Sequence, residues 1–225
     1  MNQNKFDLNS MSDRHSKAIS RRGILVGGAI AGLASAVGLS TFSARPSQAS
    51  MMSMSANAND AEVLNNALFY EHQAIWTYQF AAGKLSDSNV GKAVLAVAQA
   101  NLHDHMMHRD KLTEVVKSLG GTPAMAASTY DLSAYLQRGE GNIDSDVNIA
   151  KLALALETDA AIAYGTEIAK LKTPALITAG ASIGSTEASH ATAIRAAFVA
   201  LGVSVPIVPA SFISADTRGE WVVKV

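Results

Sequence analysis

The sequence predicts an all-α fold, a bundle of four helices arranged as two antiparallel hairpins. Three observations support this prediction. Apolar residues recur with the 3.6-residue period of an amphipathic helix over four long stretches. Residues that start and stop helices bound those stretches. Connections of only a few residues join the first stretch to the second and the third to the fourth, so each pair forms a hairpin. The four stretches are about 60–83, 88–119, 146–171 and 174–201.

The composition excludes several classes of function. The chain has 225 residues, no cysteine, and 18 Lys and Arg against 19 Asp and Glu, for a net charge of −1. Without cysteine there is no disulfide scaffold, thiolate zinc site or cysteine nucleophile. Binding to nucleic acid neutralises phosphates with clustered Lys and Arg, and the chain has no such cluster. We therefore expect no nucleic acid partner.

The first 49 residues have the pattern of a cleavable export signal. A basic segment ends in Arg21-Arg22, an apolar run with five glycines follows from Gly23 to about Leu39, and Ser47-Gln48-Ala49 offers small residues for cleavage. The arginine pair before the apolar run resembles a twin-arginine signal, which implies export to the bacterial periplasm. The alternatives are an ordinary secretory signal or an uncleaved anchor. Because the glycines dilute the apolar run, we expect no stable membrane span after cleavage.

Local signals bound the first hairpin. Residues 50–59 have no apolar period and are predicted to be a flexible lead-in to a bundle that spans 60–202. Asn59 can cap the first helix, with Glu62 three residues later, and Gly83 can end it. Asp87 or Ser88 can cap the start of the second helix, and Gly120-Gly121 can end it.

A long connection and a second hairpin complete the bundle. Residues 121–145 are too long for a tight turn and are predicted to cross over along the bundle, with a short helical turn near 130–136. Asp144 or Ser145 can start the third helix, and Thr173-Pro174 the fourth. Gly202 can end the fourth helix. The tail, 203–225, is predicted to lie extended over the bundle, and we assign it no chemistry.

The two hairpins repeat each other in sequence. Glu71 is followed by Tyr78 and Glu157 by Tyr164, at the same spacing and 86 residues apart. In the second and fourth helices, His108 corresponds to His190 at an offset of 82 residues. A duplicated helical hairpin with pseudo-twofold symmetry explains this pattern.

Ionisable side chains interrupt the apolar stripe of every helix. A buried carboxylate costs several kcal/mol unless it is neutralised or paired. The stripes carry no Lys or Arg nearby, so the economical partner is a metal cation. Oxygen ligands mixed with imidazole favour iron or manganese over zinc or copper. The predicted ligands are Glu71, His105, His108, Glu157, Glu187 and His190.

The same residues resemble the ferritin-like family of di-iron and di-manganese carboxylate proteins. Its ligands are one Glu on each of two helices and a Glu-x-x-His pair on each of the other two. Glu71 and Glu157 match the lone glutamates, and Glu187 with His190 matches one pair. The resemblance covers about residues 60–202. It implies a ferritin-like bundle that binds metal in its core.

One position departs from the ferritin-like pattern. His105 stands where the second Glu-x-x-His pair has its glutamate, and a neutral imidazole cannot bridge two metals as a carboxylate does. The alternatives are an asymmetric site with two ions, a site with one ion, or recruitment of Asp104. His105 is the preferred ligand, because the repeat aligns it with Glu187.

The resemblance implies oxidative chemistry without selecting a reaction. Bound Fe(II) or Mn(II) would react with O2 or peroxide in iron oxidation, peroxide reduction or substrate oxidation. The alternative is a non-enzymatic metal-binding or stress-related bundle, whose buried polar residues form a hydrogen-bonded network. Both monomers and homo-oligomers fit the sequence. Tyr78 and Tyr164 are interpreted as core packing, and His72 and His103 as residues beside the site.

Overall fold

A computed structural model describes residues 48–225 and confirms the all-α prediction: helices and no strand occur over this range. The basic segment, the arginine pair and the apolar run of the predicted leader lie outside the described residues. A 3-10 turn at Ile168–Lys170 directly follows the helix that ends at Glu167. The helices are α1 (Gln48–Ala82), α2 (Asn89–Ser118), α3 (Ser133–Gln137), α4 (Asp146–Glu167), α5 (Pro174–Ala200) and α6 (Arg218–Trp221).

Helix α1 begins earlier than the sequence pattern indicates. Residues 50–59 were predicted as a flexible lead-in, but the structure places them in α1. This segment contains neither Gly nor Pro, so nothing stops the helix even though no apolar stripe marks it. Asn59 is consequently inside the helix and is not its cap. Asp60 is fully buried and accepts hydrogen bonds from the backbone N–H groups of Lys172 and Thr173, which precede α5.

The other helix ends follow the sequence signals closely. The Ser88 side chain caps α2 by accepting from the N–H of Gly91, and Ser145 caps α4 in the same way. Gly120 and Gly202 adopt φ values of 84° and 85° beyond α2 and α5. These conformations favour glycine and allow the next N–H to bond back into the last helical turn. The same terminating geometry therefore occurs in both halves of the repeat.

Two apolar clusters lie on either side of the middle of the bundle. One contains Leu64 and Leu68 of α1 together with Leu112 and Val116 of α2. The other contains Leu154 of α4 with the α5 and tail residues Ile194, Phe198 and Trp221. The long helices α1 and α2 pack against each other, as do α4 and α5. Along α2, α4 and α5, the polar residues of the predicted site lie between the two clusters.

The C-terminal tail was predicted to be extended, but it contains the short helix α6. Buried Arg195 of α5 secures this segment, donating to the carbonyl oxygens of Pro206 at 2.8 Å and Trp221 at 2.5 Å. Trp221 is buried against the bundle. These contacts hold the tail against the bundle, although its sequence has no apolar period that would predict such packing.

None of the helices between residues 48 and 225 has the length and apolar character that crossing a membrane requires.

Candidate metal centre

Four helices bring the six predicted ligands together in the middle of the bundle. Five of these side chains are buried, and His108 is the most exposed, at 14%. They form two overlapping groups, and within each group one ligand atom per residue lies within 4.8 Å of the others. His105 and Glu187 belong to both groups. The first group adds Glu71 and His108, and the second adds Glu157 and His190.

His105 lies between two carboxylates of different helices. Its Nδ1 is 2.8 Å from Oε2 of Glu71, and its Nε2 is 3.1 Å from Oε1 of Glu157. Burial disfavours the charged imidazole, but the negative charge of Glu157 and the hydrogen bonds to both carboxylates outweigh it, so the pKa of His105 lies well above its usual value. At the position where the ferritin-like pattern has a glutamate, this chain therefore places a cation between two acids.

His190 has one nitrogen directed to the centre and one directed outward. Its Nδ1 is 3.2 Å from carboxylate oxygens of both Glu157 and Glu187, and its Nε2 is 3.3 Å from Oδ2 of Asp104. Burial opposes protonation, yet the bonds to the two glutamates raise the pKa of His190 to about 10. Asp104 thus contacts the nitrogen of His190 that faces away from the centre, and it is absent from both ligand groups found among the described residues.

An unsatisfied pair of atoms marks the first ligand group. Nδ1 of His108 and Oε1 of Glu187 are 3.0 Å apart, but their geometry is not that of a hydrogen bond, and both are buried without a partner. Burial disfavours protonation of His108, but its glutamate neighbours raise its pKa to about 9. Burial raises the pKa of Glu187. Imidazole nitrogen and carboxylate oxygen are both metal ligands, so these two atoms fit a cation.

Two tyrosines bind the other two glutamates reciprocally. The Tyr78 hydroxyl on α1 donates to Glu157 on α4, and the Tyr164 hydroxyl on α4 donates to Glu71 on α1. Asn101 donates to the Tyr78 oxygen at 2.9 Å. Sequence periodicity alone indicates core packing for both tyrosines. Their seven-residue spacing from the glutamates was visible in the repeat, but the hydroxyl partners were not.

Glu71 and Glu157, the two glutamates that accept from tyrosines, have lowered pKa values although both are buried. Burial alone would raise the pKa of Glu71, but hydrogen bonds and charge from His105 and His108 lower it. Burial also acts to raise the pKa of Glu157, but its histidine neighbours, above all the charge of His105, hold that pKa well below its usual value. Both groups are therefore ionised in the metal-free protein, and they can exchange an imidazolium partner for a metal cation.

The two remaining histidines near the centre lie outside it. Nε2 of His72 is 3.1 Å from the backbone oxygen of Ala124, and His103 is exposed. These positions agree with the prediction that both lie off the apolar stripes.

Comparison with known proteins now places the chain in a family. A family model described as a ferritin-like domain matches residues 59–200. The chain belongs to this ferritin-like domain family. The matched range contains all six site residues, so the buried cluster lies within the ferritin-like domain and supports metal binding in general terms.

A solved structure shows the same ferritin-like fold. A conserved hypothetical protein from Mycobacterium tuberculosis is 24% identical and superposes with a TM-score of 0.54, covering 70% of this chain and 99% of that one. At this identity the likeness extends to the fold alone. A search of curated protein sequences finds no match.

Proposed function

We propose that this ferritin-like protein binds iron or manganese through Glu71, His105, His108, Glu157, Glu187 and His190, and uses it in oxidative chemistry with O2 or peroxide. The observation that carries the proposal is the overlap of two ligand groups at His105 and Glu187, with unsatisfied ligand atoms on His108 and Glu187. When bound, the reduced metal would supply electrons to the oxidant. Iron oxidation, peroxide reduction and oxidation of an organic substrate all share this step.

The protein's own residues would hold the ion and control its protons. Because His108 and His190 have pKa values of about 9 and about 10 without metal, their imidazoles are protonated at neutral pH. A cation that binds their Nδ1 atoms must displace those protons, so metal affinity should increase with pH. Tyr78 and Tyr164 orient Glu157 and Glu71 by hydrogen bonds. Partly exposed His108 is the ligand nearest to solvent among the six.

The direct test measures metal content and oxidation together. We expect the purified protein to bind iron or manganese, and aerobic addition of Fe(II) to produce the absorbance of oxidised iron faster than buffer does. The double substitution Glu157→Ala/Glu187→Ala should abolish both effects. His103→Ala with Glu114→Ala is the matched control, because it removes one imidazole and one carboxylate that are exposed. An unchanged double variant would contradict the proposal.

A second candidate is a metal-free structural bundle. The three glutamates already have histidine partners. Because the pKa values of His105, His108 and His190 are raised, their protonated imidazoles balance the charge of the carboxylates. This observation favours a self-contained polar network. Such a bundle would bind no iron or manganese, and the Glu157→Ala/Glu187→Ala variant would lose stability without losing any oxidation activity. The metal measurement above therefore separates the two candidates.

We also propose that the protein is exported by the twin-arginine route to the bacterial periplasm. Support comes from Arg21-Arg22 before the glycine-rich apolar run and from the small residues near Ala49. The test compares the unaltered chain with Arg21→Lys/Arg22→Lys, which keeps the charge. We expect a shortened periplasmic product from the first and cytoplasmic precursor from the second. A variant exported equally well would contradict the twin-arginine route.

A further inference from the structure

An apolar cavity of about 50 Å³ lies along the bundle axis beside the candidate metal centre. All four long helices line it, and its lining runs from Tyr78 to Val147 and Leu201, which reach the surface at one end of the bundle. Tyr78 also donates its hydroxyl to Glu157, so one side chain separates the cavity from a predicted ligand. The cavity is therefore adjacent to the centre without being part of it.

The internal repeat shows that two positions in the cavity lining carry smaller side chains than their equivalents. Ala150 and Ala197 belong to the second hairpin. Their equivalents in the first hairpin are Leu64 and Val115, at the offsets of 86 and 82 residues. Leu64 is buried in its apolar cluster, and Val115 packs against it. At these two positions the second hairpin, which lines the cavity, therefore has smaller side chains than the first hairpin has at the equivalent positions.

The chemistry of the lining selects the occupant. Of the lining residues only Thr77 and Tyr78 carry polar side-chain atoms. Thr77 donates to the backbone oxygen of Gln73 at 2.8 Å, and Tyr78 is bonded to Glu157 and Asn101. Ordered water in a cavity needs about two to four polar partners, and these two hydroxyls, whose protons are already donated elsewhere, are too few. The cavity is therefore suited to an uncharged, apolar occupant.

The size of the cavity limits that occupant further. An apolar cavity of roughly 150 Å³ holds benzene or xenon, so a space of about 50 Å³ suits a single small molecule. We propose that this cavity binds small apolar gas molecules and serves as a dioxygen site beside the metal centre. Dioxygen as the natural ligand rests on the proposed function. The binding step itself requires no metal and forms no bond.

The test uses dioxygen and xenon with the metal-free, full-length protein. In NMR spectra of methyl-labelled protein under oxygen pressure, dissolved dioxygen is paramagnetic and broadens the methyl signals near which it resides. We expect the methyls of Ala150 and Ala197 to relax at least about twofold faster than those of their equivalents, buried Leu64 and partly buried Val115. Equal relaxation of the two pairs of residues would overturn the proposal. Xenon should shift the same cavity signals in a saturable titration.

Filling the cavity provides the matched variants. Ala150→Leu/Ala197→Val introduces the larger residues that the first hairpin has at these positions and should weaken xenon binding roughly tenfold or more, whereas Ala100→Leu on the exposed face of α2 should not. If the double variant does not fold, Ala197→Val alone adds two carbons and should weaken binding by a smaller factor. Xenon binding that these substitutions leave unchanged would overturn the proposal. A protein that takes up no iron or manganese would instead contradict the proposed function alone.

Discussion

The Tyr164 hydroxyl of α4 donates a hydrogen bond to the Glu71 carboxylate of α1. Tyr78 and Glu157 form the same contact in the opposite direction between the two helices. The two halves of the duplicated hairpin therefore each supply the tyrosine that orients the glutamate of the other half. Groups that bind metal ligands from outside fix their orientation and tune their basicity.

Tyr164→Phe tests this relationship. Without the hydroxyl, Glu71 loses a donor that holds its oxygen in place, so we expect divalent metal to bind about tenfold to a hundredfold more weakly. The measurement is a metal titration followed by calorimetry. Tyr70→Phe is the control, since Tyr70 is exposed on the same helix as Glu71. Equal metal affinity in Tyr164→Phe and the unaltered protein would show that the hydroxyl only fills space.

Much of the centre could be predicted because helical periodicity determines both the face and the level of a side chain. Glu71 and Glu157 were found as carboxylates on apolar stripes, and the structure brings both to the middle of the bundle. The partners of each group could not be predicted, because periodicity does not specify rotamers. Thus only the folded structure shows that His105 lies between two acids and that His108 and Glu187 have unsatisfied atoms. The ligand role of all six residues stays a prediction.

Segments without periodicity were the least predictable part of the fold. Helix ends with Ser, Pro or Gly signals were placed within a residue or two, as at Ser88 and Gly202. Residues 50–59 lack both an apolar stripe and a helix breaker, so the pattern favoured an irregular segment where the structure has helix. The tail depends on Arg195, a buried cation that contacts backbone carbonyls distant in sequence. Local sequence carries no signal for such contacts.

His105→Glu tests the departure from the ferritin-like pattern. The substitution replaces a cation between Glu71 and Glu157 with a fourth carboxylate, so we expect the metal-free variant to have a lower melting temperature. Added Mn(II) or Fe(II) should restore stability and raise the number of ions per chain, because four carboxylates can balance more cationic charge. Native mass spectrometry and calorimetry measure the two effects.

The control for His105→Glu is His105→Gln, which removes the imidazole without adding charge. We expect it to lower metal-free stability without increasing metal content. If the Glu and Gln variants bind the same number of ions as the unaltered protein, His105 does not limit the capacity of the centre.

Asp60→Ala tests how α1 is joined to the start of α5. The buried carboxylate accepts from the N–H groups of Lys172 at 2.7 Å and Thr173 at 3.0 Å, so its removal leaves two donors unpaired. We expect the free energy of unfolding to fall by about 1–2 kcal/mol, as for loss of a helix cap, with an unchanged denaturant m-value. Asp87→Ala, in the exposed α1–α2 loop, should change it little. A loss no larger than that of the control would show that these two hydrogen bonds do not hold α1 to the start of α5.

Glu140→Gln tests the ionic contacts that join the crossover to the tail. Glu140 is buried and accepts from Arg218 through two bonds of 2.7 Å and from Arg138 at 2.9 Å. The Arg218 hydrogen bonds hold the pKa of Glu140 below its usual 4.5, against the opposing effect of burial. We expect the variant to lose about 2 kcal/mol of unfolding free energy at pH 7, measured by urea denaturation.

The pH dependence of that loss identifies its cause. Because the folded protein has the lower Glu140 pKa, the unfolded chain takes up the proton first as the pH falls. The stability that Glu140 supplies is therefore complete above its unfolded pKa of about 4.5 and decreases as the pH falls through the lower, folded value. The difference between unaltered protein and Glu140→Gln should accordingly shrink between pH 5 and pH 3. A difference that stays constant over this interval would mean that the variant loses packing and not an ionised partner of Arg218.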